Sequence, residues 1–129
     1  MTLLLLVDDE ALILQTINDA LEDGGYATIQ AHSGEEAIAL LQDAAHAFSG
    51  VITDVNLGGG VGGWDVARAA RERFPDLPVV YMTGDSAHDW TSHGVPHSLL
   101  VPKPFALSQI ITAISQLLNE AATRSLSGH

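Results

Sequence analysis

The sequence contains no cysteine. Disulfides, thiolate metal sites and thiol catalysis are thereby excluded. Cationic side chains are scarce as well: five Lys and Arg stand against 16 Asp and Glu, giving a formal net charge of −11. A free-standing nucleic-acid binder needs a basic face, so direct DNA binding is not expected. The acidity favours solubility and cationic partners, either metal ions or a basic protein surface. Arg68, Arg71 and Arg73 fall together on one predicted helix beside Glu72 and read as a solvated helix face. Long apolar runs are also missing. None approaches the ~20 residues of a membrane span, and Leu3–Val7 is too short for a signal-peptide core and follows no basic residue. A cytoplasmic protein with no membrane association is expected.

What is present suffices for a core. The 129 residues make one ordinary domain, and 47% of them are hydrophobic, which argues against disorder. Leu3–Val7 is wholly apolar, as befits a strand buried on both faces, and it stops at Asp8-Asp9-Glu10. Leu12, Ile13, Thr16, Ile17, Ala20 and Leu21 recur at helical spacing, and Gly24-Gly25 ends that helix. Tyr26–Ala31 reads as a second strand. Ser33 and Glu36 match a capping box before a helix running through Ala37, Leu40, Leu41 and Ala44. Val51-Ile52-Thr53 is a third strand, ending on Asp54.

A glycine-rich loop, Leu57–Gly63, follows the third strand and leads into a helix from Trp64 to Phe74 that Pro75 stops. Pro78–Met82 is a fourth strand ending on Thr83, and Ser86–His93 a short helix. Ser98–Val101 is a fifth strand, ending at Pro102-Lys103-Pro104. Ile110, Ile111, Ile114, Leu117 and Leu118 mark the last helix, and Asn119–His129 reads as a frayed tail. Alternating strands and helices with short connections predict a doubly wound α/β fold with a five-stranded parallel sheet.

In open parallel sheets the ligand site lies beyond the carboxyl ends of the strands. Four strands here deliver polar or charged residues to that edge: Asp8 and Asp9, Asp54, Thr83, and Lys103. Singly, each has an ordinary explanation, such as Asp9 capping a helix or Asp54 initiating a turn. Together at one edge they suggest a site. Clustered carboxylates repel and need a cation. Hard oxygen ligands suit Mg²⁺, and a carboxylate can become an aspartyl phosphate. The equatorial phosphoryl oxygens then need neutralising donors: Mg²⁺, the Lys103 ammonium and the Thr83 hydroxyl.

The segments LLLLVDDE, VITDVNL, VVYMTGD and KPF, in that order, resemble the receiver domain of bacterial two-component response regulators, with its flavodoxin-like or CheY-like (βα)5 sandwich. The resemblance covers residues 2–118, leaving 119–129 as a tail. It implies Asp54 as phosphoacceptor, and Mg²⁺ held by Asp8, Asp9, Asp54 and the backbone carbonyl of Asn56. It further implies that Thr83 binds a phosphoryl oxygen, that Lys103 pairs with the phosphoryl group or with Asp54 before phosphorylation, and that the Lys103–Pro104 bond is cis. The expected partner is a sensor histidine kinase or a histidine phosphotransfer protein, with room for a weak homodimer.

Four features depart from the family pattern. Leu100 stands where an aromatic switch residue is usual. Gly58 replaces a proline in the loop after Asp54, which suggests either a flexible loop or a mobile gate. The stretch from Thr83 to Gly94 is short by about one helical turn. The connection GVPHSLL into the last strand is longer than typical. Trp90 is expected to anchor the core, and His88, His93 and His97 to face solvent without binding metal.

The expected function is a single-domain receiver that signals through protein contacts or relays phosphate, complete from Met1, and not a conventional enzyme. Two alternatives stand beside it. One is a receiver-like module that binds partners independently of phosphorylation. The other is an aspartate-nucleophile phosphohydrolase, disfavoured because Asn56 sits where its general acid would be.

Overall fold

The computed structural model describes residues 2–84 and 90–127. The strands are β1 (Leu3–Val7), β2 (Ala27–Ala31), β3 (Gly50–Asp54), β4 (Val79–Thr83) and β5 (Leu99–Pro102). The helices are α1 (Ala11–Asp23), α2 (Gly34–Gln42), α3 (Gly63–Arg73), α4 (Trp90–His93) and α5 (Leu107–Ser127). All strand pairs are parallel, in the order β2-β1-β3-β4-β5.

The continuous apolar run of β1 follows from burial on two sides. Leu4 and Leu6 face the layer of α1 and α5, against Leu14, Ile17, Leu21, Ile110 and Ile114. Leu5 and Val7 face the layer of α2 and α3, against Ala37, Leu41, Val66 and Ala70. Strand alternation sends successive residues to opposite faces, so a strand sandwiched between helices has no solvent side. β3 and β4 are likewise buried throughout. Each fully buried Leu or Ile contributes about 1.5–3 kcal/mol, which fixes the sheet that carries the strand ends.

Several elements differ from the sequence expectation. α2 ends at Gln42, short of Ala44, because the Asp43 carboxylate accepts from the Ala45 amide at 2.9 Å and turns the chain; this side-chain bond competes with helix continuation. Ser33 caps α2 as expected, accepting from the Glu36 amide at 3.1 Å, while the Glu36 carboxylate lies 3.8 Å from the His32 imidazole. Residues 119–127 are not a frayed tail but the last turns of α5. Ala121 and Ala122 favour helix, and no Gly or Pro interrupts the segment before Gly128. Leu12, read as part of the apolar stripe of α1, is 80% exposed.

Of the arginines of α3, Arg68 is exposed as expected, while Arg71 and Arg73 are half-buried. Arg68 pairs with Asp65 at 3.3 Å and donates to the His93 carbonyl at 3.3 Å. Arg71 donates to the carbonyls of Leu77 at 2.7 Å and His97 at 3.5 Å, and its partial burial lowers its pKa. Arg73 donates to the carbonyls of Leu41 and Asp43. Guanidinium forks are suited to bridging carbonyls on separate segments, which charge patterning along a helix does not reveal.

Of the expected short helix at Ser86–His93, Trp90–His93 is helical; residues 86–89, with His88, lie outside the described residues. No helix among the described residues is long and apolar enough to cross a membrane.

Candidate functional site

The strand order reverses between β1 and β3: β2 lies on one side of β1, while β3, β4 and β5 follow on the other. Asp8 and Asp9 leave the end of β1, and Asp54 closes β3, so the acidic residues flank the reversal where ligands bind in such sheets. The register keeps the ends level: Val7 pairs with Thr53, Asp54 with Met82, and Thr83 with Pro102. The Lys103 amide donates to the Thr83 carbonyl at 2.7 Å, tying the end of β5 to that of β4.

Asp54 is 4% exposed. Its Oδ2 accepts from the Lys103 ammonium at 2.8 Å, and its Oδ1 from the Asn56 amide at 3.1 Å. Partial burial works against the Lys103 charge, but the bond to Asp54 and the field of Asp54 and Asp8 outweigh it, and the Lys103 pKa is raised. The Lys103–Pro104 bond is cis. Thr83 is fully buried at the end of β4.

Asp8 is also fully buried. Its Oδ1 accepts from the Glu10 amide at 2.9 Å, while its Oδ2 is, among the described residues, the buried side-chain oxygen with no hydrogen-bond partner. Burial, and secondarily the like charge of Asp54, push its pKa up to about 6. Asp9 is exposed and does not cap α1; Glu10 occupies the N-cap position, without a side-chain cap bond. One oxygen each of Asp8, Asp9 and Glu10 lie within 4.8 Å of one another. Glu10 is the acidic neighbour that the sequence reading passed over, because it sits one residue into the turn and not at a strand end.

The glycine-rich loop is anchored. Leu57 is buried and Val61 packs on the α2–α3 core. Gly58 takes φ +80, and a Cβ there would stand 3.7 Å from Asp9 Oδ2, so the loop passes directly beside the acidic cluster. Gly63 starts α3 against the backbone of β3: a Cβ there would lie 2.2 Å from the Asp54 carbonyl oxygen. Gly63→Ala is therefore expected to destabilise the fold by about 3 kcal/mol or more, the upper range of overpacking, as read from urea unfolding. A loss under about 0.5 kcal/mol, typical of surface positions, would refute this contact.

Leu100 is half-buried and paired in register with Tyr81. Trp90 anchors the edge of a small cluster, its indole N–H donating to Ser98 Oγ at 2.9 Å. His93 and His97 join no group of three or more metal-ligating side chains among the described residues.

A family model for the response regulator receiver domain matches residues 4–115. The chain belongs to that family. The crystal structure of a response regulator receiver protein from Sinorhizobium medicae superposes with a TM-score of 0.89 at 43% identity, over 93% of this receiver and 96% of that chain. A response regulator receiver protein of Anaeromyxobacter sp. is 32% identical over 88% of this chain and 44% of its own length. The sensor kinase CckA of Brucella abortus is 28% identical over 92% of this chain and 13% of its own. This receiver thus spans less than half the length of these two curated relatives.

Receivers generally bind Mg²⁺ in an acidic pocket, and the residues here fit it. A fully buried carboxylate oxygen without a partner, beside exposed Asp9 and paired Asp54, is an oxygen donor set of the kind a hard dication takes.

Proposed function

We propose that this receiver accepts a phosphoryl group on Asp54 from a phosphohistidine donor, with Mg²⁺ held by Asp8, Asp9, Asp54 and the backbone carbonyl of Asn56. The observation that carries this reading is the Lys103–Asp54 pair at 2.8 Å, set beside the partnerless buried oxygen of Asp8. An oxygen of Asp54 attacks phosphorus, an O–P bond forms, and the P–N bond to the donor imidazole breaks with the electron pair leaving on nitrogen. Bound Mg²⁺ supplies charge neutralisation at a phosphoryl oxygen. The Lys103 ammonium shifts its hydrogen bond from the carboxylate to a phosphoryl oxygen, and the Thr83 hydroxyl donates to another. The Asn56 amide fixes the carboxylate plane by holding Oδ1.

A sensor histidine kinase or a histidine phosphotransfer protein is the proposed donor, in the cytoplasm. The product is a phosphorylated surface that binds a target or passes the group on. Self-contained hydrolytic turnover is not part of this reading, since Asn56 stands where a phosphohydrolase would carry its acid.

The test is Mg²⁺ with beryllofluoride, and separately with acetyl phosphate, followed by amide chemical shifts and intact mass. Mg²⁺-dependent shifts at Asp9, Asn56, Thr83 and Lys103 and a single phosphoryl adduct are expected. No Mg²⁺-dependent response at these residues would sink the reading, and multiple turnovers of phosphate ester per protein would replace it with a hydrolase.

A further inference from the structure

The segment from His93 to His97 has little regular structure, yet it is tied down from three elements. The Val95 amide donates to the Tyr81 hydroxyl at 3.1 Å. Ser98 Oγ donates to the Val95 carbonyl at 2.6 Å and accepts from the Trp90 indole. Arg68 and Arg71 of α3 reach the His93 and His97 carbonyls. Trp90 is pressed against the same segment, since a Cβ on Gly94 would stand 2.3 Å from its ring. Tyr81 is fully buried with Val55, Ala67 and Val79. Its ring meets Trp64 edge-on, centroids 4.6 Å apart.

Two routes from the acidic site converge on that ring pair. Thr83 lies two residues beyond Tyr81 on β4 and so on the same face of the strand. Trp64 follows Gly63 at the start of α3, directly after the loop that leaves Asp54. Leu100, beside Tyr81 in the β4–β5 register, has an aliphatic side chain and no hydroxyl with which to hold the 93–97 backbone.

We infer that Tyr81, through its hydroxyl bond to Val95 and its packing on Trp64, couples the Asp54 site to the surface formed by α4 and residues 93–98. This inference rests on the receiver reading. Tyr81 is a positioning residue: it touches no reacting atom. A change at the Thr83 end of β4 or in the loop after Asp54 reaches Tyr81 along a strand or across a ring contact. From there it passes to the Val95 amide, Ser98 and the Trp90 indole. Packed side chains and hydrogen-bond chains with discrete arrangements are the physical carriers of such coupling.

The experiment uses the full chain labelled with ¹⁵N, titrated with beryllofluoride in Mg²⁺, in wild type, Tyr81→Phe, Ser98→Ala and Leu100→Ala. In wild type the Val95 amide and Trp90 Nε1–H resonances are expected to shift together with Asn56 and Lys103. Tyr81→Phe is expected to keep the Asn56 and Lys103 shifts and lose those of Val95 and Trp90. Ser98→Ala, which leaves the Tyr81 bond in place, is expected to lose the Trp90 response and keep that of Val95. Leu100→Ala is expected to keep all four.

Undiminished Val95 and Trp90 responses in Tyr81→Phe overturn the inference, as do silent Val95 and Trp90 in a wild type whose Asn56 and Lys103 respond. Loss of the Val95 and Trp90 responses in Leu100→Ala also overturns it by placing the route in β5. If Tyr81→Phe does not fold, the wild-type and Leu100→Ala responses decide. A wild type with no response at Asn56 and Lys103 removes the receiver reading itself, and the inference with it.

Discussion

Asp54→Asn is expected to end phosphorylation while leaving the fold standing. The carboxylamide oxygen is a poor nucleophile, so no O–P bond forms on it; intact mass after incubation with acetyl phosphate and Mg²⁺ is expected to show no adduct. The structural cost is limited. Asparagine keeps one oxygen, which can hold either the Asn56 amide or the Lys103 ammonium, where Asp54 holds both. One charge-assisted bond is lost, worth about 1.5–3 kcal/mol when buried. Lys103 is partly exposed, and water takes up part of that loss. A second compensation comes from Asp8, whose raised pKa owes something to the like charge of Asp54. Removing that charge lowers the Asp8 pKa from its value of about 6, which a carboxyl NMR titration reads directly. An adduct at the wild-type level would place the acceptor on another side chain.

Asp8→Asn is expected to move stability and Mg²⁺ affinity in opposite directions. In the folded chain Asp8 is raised from 3.8 to about 6. Between those two values the folded state binds more protons than the unfolded state, so the stability of the metal-free protein falls as pH rises through this window. Above it the full penalty stands, on the order of 3 kcal/mol at about 1.4 kcal/mol per pKa unit. Asparagine keeps an oxygen for the Glu10 amide and carries no charge into the buried site. The variant is therefore more stable than wild type at pH 7 in EDTA, by about 1–3 kcal/mol, and it lacks the fall in stability that Asp8 causes across the acid window.

Mg²⁺ narrows that difference. Loss of a carboxylate ligand is expected to weaken binding by at least about tenfold, since supporting residues alone alter metal affinity by 10–100-fold. Wild type in Mg²⁺ at about 100 times its Kd gains roughly 2.7 kcal/mol, and a variant binding tenfold more weakly gains about 1.4 kcal/mol at the same concentration. Urea unfolding at pH 7 with and without Mg²⁺ reads both effects. A variant less stable than wild type in EDTA would show that Asp8 is not a source of strain in the metal-free fold.

The strand ends were legible because a parallel sheet leaves two strong marks in sequence. Its strands are unbroken apolar runs, and the residue that ends each run must be polar or turn-forming. Leu3–Val7 before Asp8, Val51–Thr53 before Asp54, and Val79–Met82 before Thr83 each show both marks, and the observed strands begin or end within a residue of the expected ones. The bounds of α2 and α5 were less legible. Asp43 stops α2 through its own side-chain bond, and α5 continues through Glu120, Ala121, Ala122 and Arg124, which extend no clear apolar stripe but favour helix.

Sequence by itself determined the layered α/β order, the four strand ends that carry Asp8, Asp54, Thr83 and Lys103, and the strong acidity that asks for a cation. These follow from local periodicity and from where apolar runs stop, which are properties of neighbouring residues. Only the tertiary structure decided what long-range contacts control. It set the Lys103 ammonium on Asp54 and left the second oxygen of Asp8 without a partner. It turned the three arginines of α3 onto backbone carbonyls and brought Tyr81 against Val95. Cysteine, basic charge and long apolar runs were what the chain lacked, and those absences excluded whole classes of function. Which of the residues present meet across the sheet depends on side chains far apart in the sequence, and their spacing along the chain holds no record of that meeting.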